Sequence, residues 1–375
     1  MIPISVLTRC ILHIYKAVIG VLSLVIATTV LAASAPVAGV AIKSDPYKDP
    51  LDVPAMMVKR QLTTTQMQAV ARAGERLVAV GIRGLVLISD DGGKQWKQVA
   101  VPVSSDLTDI NFPTAKDGWI VGQDGVVLHS KDGGTSWEKQ LDGNLAKKLL
   151  TEHFQAQINA GKTEAQRYLQ DTQLNYESGP EQALLGVWFK DAQNGFVCGS
   201  FGTLLATRDG GVTWESWAEN IDSDIAPHLY AIRGTQKGML IGSEKGVVFR
   251  LDEQKQRFVA MQTGYTGTFF SLLEVGDAVL AMGLRGNVYR LKGDGKQWEK
   301  LETGINTSIT ASTLLPDGSA LLATVAGQLL ITKDGGNSFQ PVPVMRPMSY
   351  AGITAAAPGT AVVVGSGGVS AIPLK

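Results

Sequence analysis

The sequence predicts an all-β chain, a seven-bladed β-propeller, and three observations carry that prediction. A short phrase recurs: a hydroxyl residue, any residue, Asp, any, Gly, any, any, aromatic. Its intact copies are Ser89 to Trp96, Ser130 to Trp137, Thr207 to Trp214 and Thr332 to Phe339, and Gly293 to Trp298 keeps only the turn and the aromatic. A second mark ends an apolar strand upstream of each copy: Gly81, Gly122, Gly199, Gly242, Gly283, Thr324 and Gly365, at spacings of 41, 77, 43, 41, 41 and 41 residues. A period near 41 is the length of a four-stranded blade, seven marks give seven blades, and 77 is one period plus an insertion. The third observation is 42 glycines punctuating short apolar segments, as tight turns between strands require.

Each unit divides into four strands. In the first these are Met67–Ala73, Arg76–Gly81, 85–89 and 96–101, and the other units begin near Leu107, Leu184, His228, Phe269, Ile309 and Tyr350. The last unit has three strands before the chain stops. The strand-like stretch Met56–Leu62 is therefore expected to supply the missing outer strand and close the ring, which hides edges that would otherwise template aggregation. In the recurring phrase, Asp91, Asp132, Asp209 and Asp334 are expected to accept amide hydrogen bonds of their own turns. Trp96, Trp137, Trp214 and Phe339 are expected to pack on the blade as the outer strand starts. That is a structural role, and it explains every residue of the phrase.

The N-terminus reads as a secretory signal over residues 1–35: Arg9 and Lys16, an apolar run from Ala17 to Ala33, and small residues Ala32 to Ala35 for cleavage. The alternative is an uncleaved anchor, since the run approaches bilayer length. Either way a linker (36–53) and a propeller (54–375) are expected outside the cytoplasm, in the periplasm or an equivalent compartment. Of the two cysteines, Cys10 falls in the signal, so Cys198 stands alone and is expected in the core.

Charge excludes a general nucleic-acid partner: 34 basic residues balance 34 acidic ones, and nothing is left over to neutralise phosphates. The histidines outside the signal, His129, His153 and His228, have no metal-ligand spacing, and no phosphate-binding loop is present. No cofactor or metal is expected.

Loops alternate between the two ends of a propeller. The aspartate turns join third to fourth strands at one end. The Gly-x-x-Gly turns join second to third strands at the other, together with the blade-to-blade links. That second end should gather Arg83, Lys245, Arg285 and Arg346 with Phe201, Tyr265 and Tyr350, against Asp106, Asp124, Asp222, Asp224 and Glu244. Arg83 and Arg285 hold equivalent places, and arginine suits bidentate contact with a carboxylate. The insertion, 142–183, shows an apolar stripe Leu145, Leu149, Phe154, Ile158, a stop at Ala160-Gly161, and a second helix from a Thr163 cap through Leu174 with Tyr168 and Leu169 inward. A helical hairpin lying over the same end is expected, its stripe packed on the propeller or free to dock a partner.

The recurring phrase and Gly81-Ile82-Arg83-Gly84 followed by Ser89 to Trp96 resemble the Asp-box (BNR repeat) propellers, and among them the photosystem II stability/assembly factor family. The resemblance spans roughly Val53 to Lys375, and the insertion departs from it. It implies a non-catalytic, monomeric propeller that assists assembly by holding a membrane protein or envelope-complex subunit, with Arg83, Lys245, Arg285 and Arg346 as partner-binding residues. The rival readings are a sialidase-like glycoside hydrolase and a glycan or transport-complex binding module. Sialidase chemistry needs an arginine triad and a tyrosine–glutamate pair. The early Arg-Ile-Pro signature is absent, Met345-Arg346-Pro347 comes late, and neither Tyr265 nor Tyr350 has a glutamate at the expected place. No catalytic residue is expected.

Overall fold

A computed structural model describes residues 48–293 and 295–374. The expected signal and residues 36–47 of the expected linker lie outside them. The described chain is a ring of seven antiparallel sheets, six of four strands and a last one of three. Blade 1 comprises Met67–Ala73, Arg76–Gly81, Val86–Ser89 and Lys97–Val99. The inner strands of blades 2 to 7 are Leu107–Asn111, Leu184–Phe189, Leu229–Thr235, Phe269–Val275, Ile309–Leu314 and Tyr350–Ala355. Each inner strand packs against its neighbours, and that of blade 7 against that of blade 1, so the ring closes.

The closure differs from expectation. Met56–Leu62 forms no strand with blade 7, whose sheet keeps three strands. Instead the Val58 amide and the Met56 carbonyl bond both ends of the Gln98 amide side chain, at 2.7 and 3.0 Å, on the outer strand of blade 1. Only the turn Leu62–Thr64 reaches the third strand of blade 7 (Gly368–Pro373), where Leu62 packs beside Val369. The stretch holds no alternation of apolar and polar residues, so side-chain bonds rather than a ladder fix it. The end of the expected linker also joins the packing: Leu51 is buried in the core between blades 1 and 2, and Pro50 accepts from the Ser104 amide at 2.8 Å.

Every inner strand carries a bulge one residue in, at the end where the Gly-x-x-Gly turns lie. Bulges tilt the strand ends and raise twist. They also explain the glycine mark, which answers to close approach rather than to φ. A Cβ at Gly81, Gly122, Gly199, Gly283 or Gly365 would stand 1.8–2.5 Å from the carbonyl oxygen just before the facing inner strand. In blade 4 the position is Ser243, whose hydroxyl donates to that same carbonyl, His228, at 2.8 Å.

The aspartate turns form as expected. In the fourth, Asp334 Oδ1 accepts from the Ser338 amide and the Thr332 hydroxyl, both at 2.9 Å, and Oδ2 from the Ser338 hydroxyl at 2.6 Å. These bonds favour the charged form, the Ser338 bonds most, and hold the carboxyl at about 2. A carboxyl lowered by folding contributes stability above its unfolded value of 3.8 and loses it as pH falls through about 2. Thermal unfolding of Asp334→Asn and wild type should therefore differ by a constant amount above about pH 5, and the difference should vanish toward pH 2. A difference that persists at pH 2 would remove the carboxylate as its source.

Unforeseen in the sequence, these turns also receive the preceding blade. Arg76 donates to the Gly133 carbonyl and the Thr135 hydroxyl at 3.1 and 2.7 Å, Gln140 to Gly210 at 2.8 Å, and Arg250 to Gly295 at 2.6 Å. Arg290, buried and ion-paired with Glu299, donates to Gly335 and Asn337 at 2.9 Å.

Candidate functional site

The end opposite the aspartate turns is built from five copies of one turn. Its third residue adopts the left-handed conformation without being glycine: Arg83, Asp124, Phe201, Lys245 and Arg285, with φ between 50 and 59°. The following glycine is left-handed as well. Backbone turned this way costs free energy in an L residue, yet it aims each of these side chains outward at the same relative position in its blade. Blade 6 departs, since Ala326 does not share the conformation.

Arg83, Lys245 and Arg285 thus occupy equivalent turns, and all three are exposed. None of their side chains has a hydrogen bond or ion pair among the described residues. The acids around them are engaged in structure. Asp106 accepts from the Arg83 amide at 2.7 Å, Asp124 from the Ser105 hydroxyl at 2.6 Å, and Glu244 from the His228 amide at 3.3 Å. Asp222 faces Arg257 at 3.8 Å. Among the described residues none of these acids is ion-paired with Arg83, Lys245 or Arg285.

The other expected members vary. Arg346 is exposed in the link between blades 6 and 7, off the five turns. Tyr350 starts the inner strand of blade 7 at this end, paired with Gly365, but it is 1% exposed and its hydroxyl is buried without a partner among the described residues. Tyr265 is half-buried, and its hydroxyl donates to the Leu284 carbonyl at 2.9 Å. Among the described residues neither tyrosine hydroxyl is hydrogen-bonded to a carboxylate. Cys198 is buried in the core as expected, and burial pushes its thiol up, away from reactivity.

Between blades 2 and 3 the insertion forms helix α1 (Gly143–Asn159) and helix α2 (Ala165–Asn175). Asp142, not foreseen, caps α1 by accepting from the Leu145 amide at 3.0 Å, while Thr163 does not cap α2. Of the expected stripe, Phe154 is buried and Leu149 and Ile158 pack against the cores of blades 2 and 3, as do Tyr168 and Leu169 of α2; Ala146 and Leu150, not foreseen, are buried there too, and Leu145 is half exposed. His153 of α1 is tied to Glu219, which also accepts from Ser216 at 2.8 Å. Burial pushes the Glu219 carboxyl up, but these bonds outweigh it and hold it below the usual range. An apolar groove remains between the hairpin and the blade 3–4 link, with Phe201 at its lip.

The channel inside the ring holds a pair that sequence reasoning missed. Asp109 faces Arg233 at 3.9 Å and accepts from the amides of Val187 and Ile110 at 3.1 and 2.9 Å. Burial nevertheless pushes its carboxyl up. Both residues are inward positions of inner strands, a register that an apolar-pattern search passes over. Among the described residues no cluster of His, Cys, Asp or Glu is placed to hold a metal ion.

With this geometry known, comparison with other proteins is informative. Solved structures of the same architecture include "YCF48 bound to D1 peptide", at 18% identity and a TM-score of 0.61, covering 86% of this chain and 99% of that one. YCF48 from Cyanidioschyzon merolae is similar at 16% identity and a TM-score of 0.61, covering 83% and 96%. A virginiamycin B lyase from Staphylococcus aureus is similar at 9% identity and a TM-score of 0.63, covering 86% and 98%, which reflects the propeller fold alone. No curated protein matches the chain. The sequence profile described as photosynthesis system II assembly factor YCF48 matches residues 56–160 and 162–342, so the chain belongs to that family of β-propellers.

Proposed function

We propose that the protein is an exported, non-catalytic scaffold that holds an acidic segment of a membrane-complex subunit across the Gly-x-x-Gly end of its propeller. The observation that carries this reading is the repetition of one left-handed turn that presents Arg83, Lys245 and Arg285 unpaired at one end of the ring. Arginine at such a place binds a carboxylate through two parallel bonds, and a free charge need not give up an existing partner to do so. A relative solved with a peptide bound supports a peptide as the class of ligand. Export rests on the N-terminal pattern of Arg9, Lys16 and the apolar run.

Crosslinking followed by affinity purification from membranes tests this, with wild type against Arg83→Glu plus Arg285→Glu. Both side chains are exposed, so the double variant should melt like wild type. One membrane protein should be recovered with wild type and drop at least tenfold with the variant, since each reversed hot-spot arginine costs about 2 kcal/mol or more. Equal recovery of the same partners with both proteins would rule the arginine turns out as the site.

A further inference from the structure

A second feature of this end lies off the ring of turns, on the rim running from blade 6 across blade 7 to blade 1. Four separate pieces of chain meet there. The turn of blade 6 touches the 6–7 link, since a Cβ on Gly327 would stand 2.7 Å from Pro347. The link touches the turn of blade 7, where a Cβ on Gly367 would stand 3.1 Å from the Met348 sulfur. The next glycine, Gly368, lies against the Thr63 carbonyl, and from there the chain leads back through Arg60 and Lys59 to Met57 and Met56.

Two properties set this rim apart. It exposes large apolar side chains singly at loop tips: Met345 is 98% exposed and Met56 82%, with Met57 and Val325 about half exposed. It also carries Lys59, Arg60 and Arg346, all exposed and without ion pairs among the described residues, while residues 53–66, 324–328, 340–350 and 365–369 contain no Asp or Glu.

We propose that this rim rests on an anionic lipid surface, with Met345 and Val325 entering the headgroup layer and Lys59, Arg60 and Arg346 meeting lipid phosphates. Cations without local acids match a negative surface, and apolar tips between them gain burial only where the surface has an apolar interior. This inference does not rest on the client, because it concerns residues outside the ring of turns.

The test uses the full chain in vesicles of phosphatidylcholine with phosphatidylglycerol and no other protein. An environment-sensitive dye is placed at Met345→Cys or, at the opposite end, Val212→Cys, in a Cys10→Ser background, Cys198 being buried. The dye at 345 should shift to the blue and be quenched by spin-labelled lipid, and the dye at 212 should do neither. Each cation near an anionic surface contributes about a fivefold bias, so Lys59→Gln, Arg60→Gln and Arg346→Gln together should weaken docking roughly a hundredfold and return the 345 dye to its value in water. Pure phosphatidylcholine should do the same. Arg83→Glu plus Arg285→Glu should leave the 345 signal intact even when client capture is lost, which keeps the two readings separable. A dye at 345 that stays in water on anionic vesicles, responds like the one at 212, or ignores the triple substitution would overturn the proposal.

Discussion

Trp119→Ala should cost about 4 kcal/mol, the largest loss expected from any single truncation in this chain. Trp119 is fully buried in the second strand of blade 2 (Gly118–Gly122). Its ring is sandwiched between Phe189 of blade 3, at 3.6 Å between centroids, and His129 of blade 2, at 4.2 Å, both nearly parallel to it. Its indole N–H donates to Gln140 at 3.1 Å, and Gln140 in turn donates to the Gly210 carbonyl of the third aspartate turn. One side chain therefore joins two blades by stacking and by a hydrogen-bonded relay. Alanine would empty an indole-sized volume that rings on both sides cannot fill, and would leave the Gln140 oxygen short of its donor. At a few degrees per kcal/mol for a chain this size, calorimetry should record a melting point lower by about 10 °C. Trp119→Phe keeps a smaller stacking ring but loses the N–H donor to Gln140, and should recover roughly half of the loss. A fall of less than about 3 °C for the alanine variant would mean that the interface between blades 2 and 3 collapses to fill the void.

This interface also marks where the sequence could be read and where it could not. The blade number, the strand starts, the aspartate turns and the placement of Arg83 and Arg285 on matching turns all follow from repeated local phrases, because a turn is specified by residues a few positions apart. What joins one blade to the next has no local phrase. Arg76, Gln140, Arg250 and Arg290 come from strands, and their acceptors are backbone carbonyls some 45 to 70 positions away that look alike in any sequence. The same limit hid the Asp109–Arg233 pair across the channel. Ring closure was misplaced because apolar content at Met56–Leu62 was taken for strand character, whereas Gln98 of blade 1 captures that stretch through its side chain. In the hairpin, Leu149, Phe154 and Ile158 pack inward as the apolar stripe predicts, but Ala146 and Leu150 share the buried face and Leu145 does not. A small alanine does not announce itself as a core residue, so the stripe could not be phased from apolar bulk alone.

Gly283→Val is the substitution expected to lose client capture without touching an arginine. Gly283 is extended, with φ of −159°, so its backbone conformation is open to any residue. What forbids a side chain is the Thr268 carbonyl oxygen, 1.8 Å from where a Cβ would stand. That oxygen belongs to backbone pinned by the bulge of blade 5, and it also accepts from the Leu284 amide at 3.1 Å. The strand end must therefore move away from the ring, and the turn carrying Arg285 two residues later moves with it. Overpacking of this kind costs about 3 kcal/mol, with a melting point lower by several degrees but a folded chain at room temperature. Binding is lost for a different reason: a bidentate arginine contact tolerates little displacement, so partner recovery should fall about tenfold even at temperatures where the variant is fully folded. Gly283→Ser separates the two effects. In blade 4 the equivalent Ser243 fits by donating its hydroxyl to the facing carbonyl, so a serine at 283 that makes the same bond to Thr268 should restore most of the stability and of the binding. If Gly283→Val recovers the partner as well as wild type while melting lower, the position of the Arg285 turn does not govern recognition, and the contact must be made by the blade 1 and blade 4 turns alone.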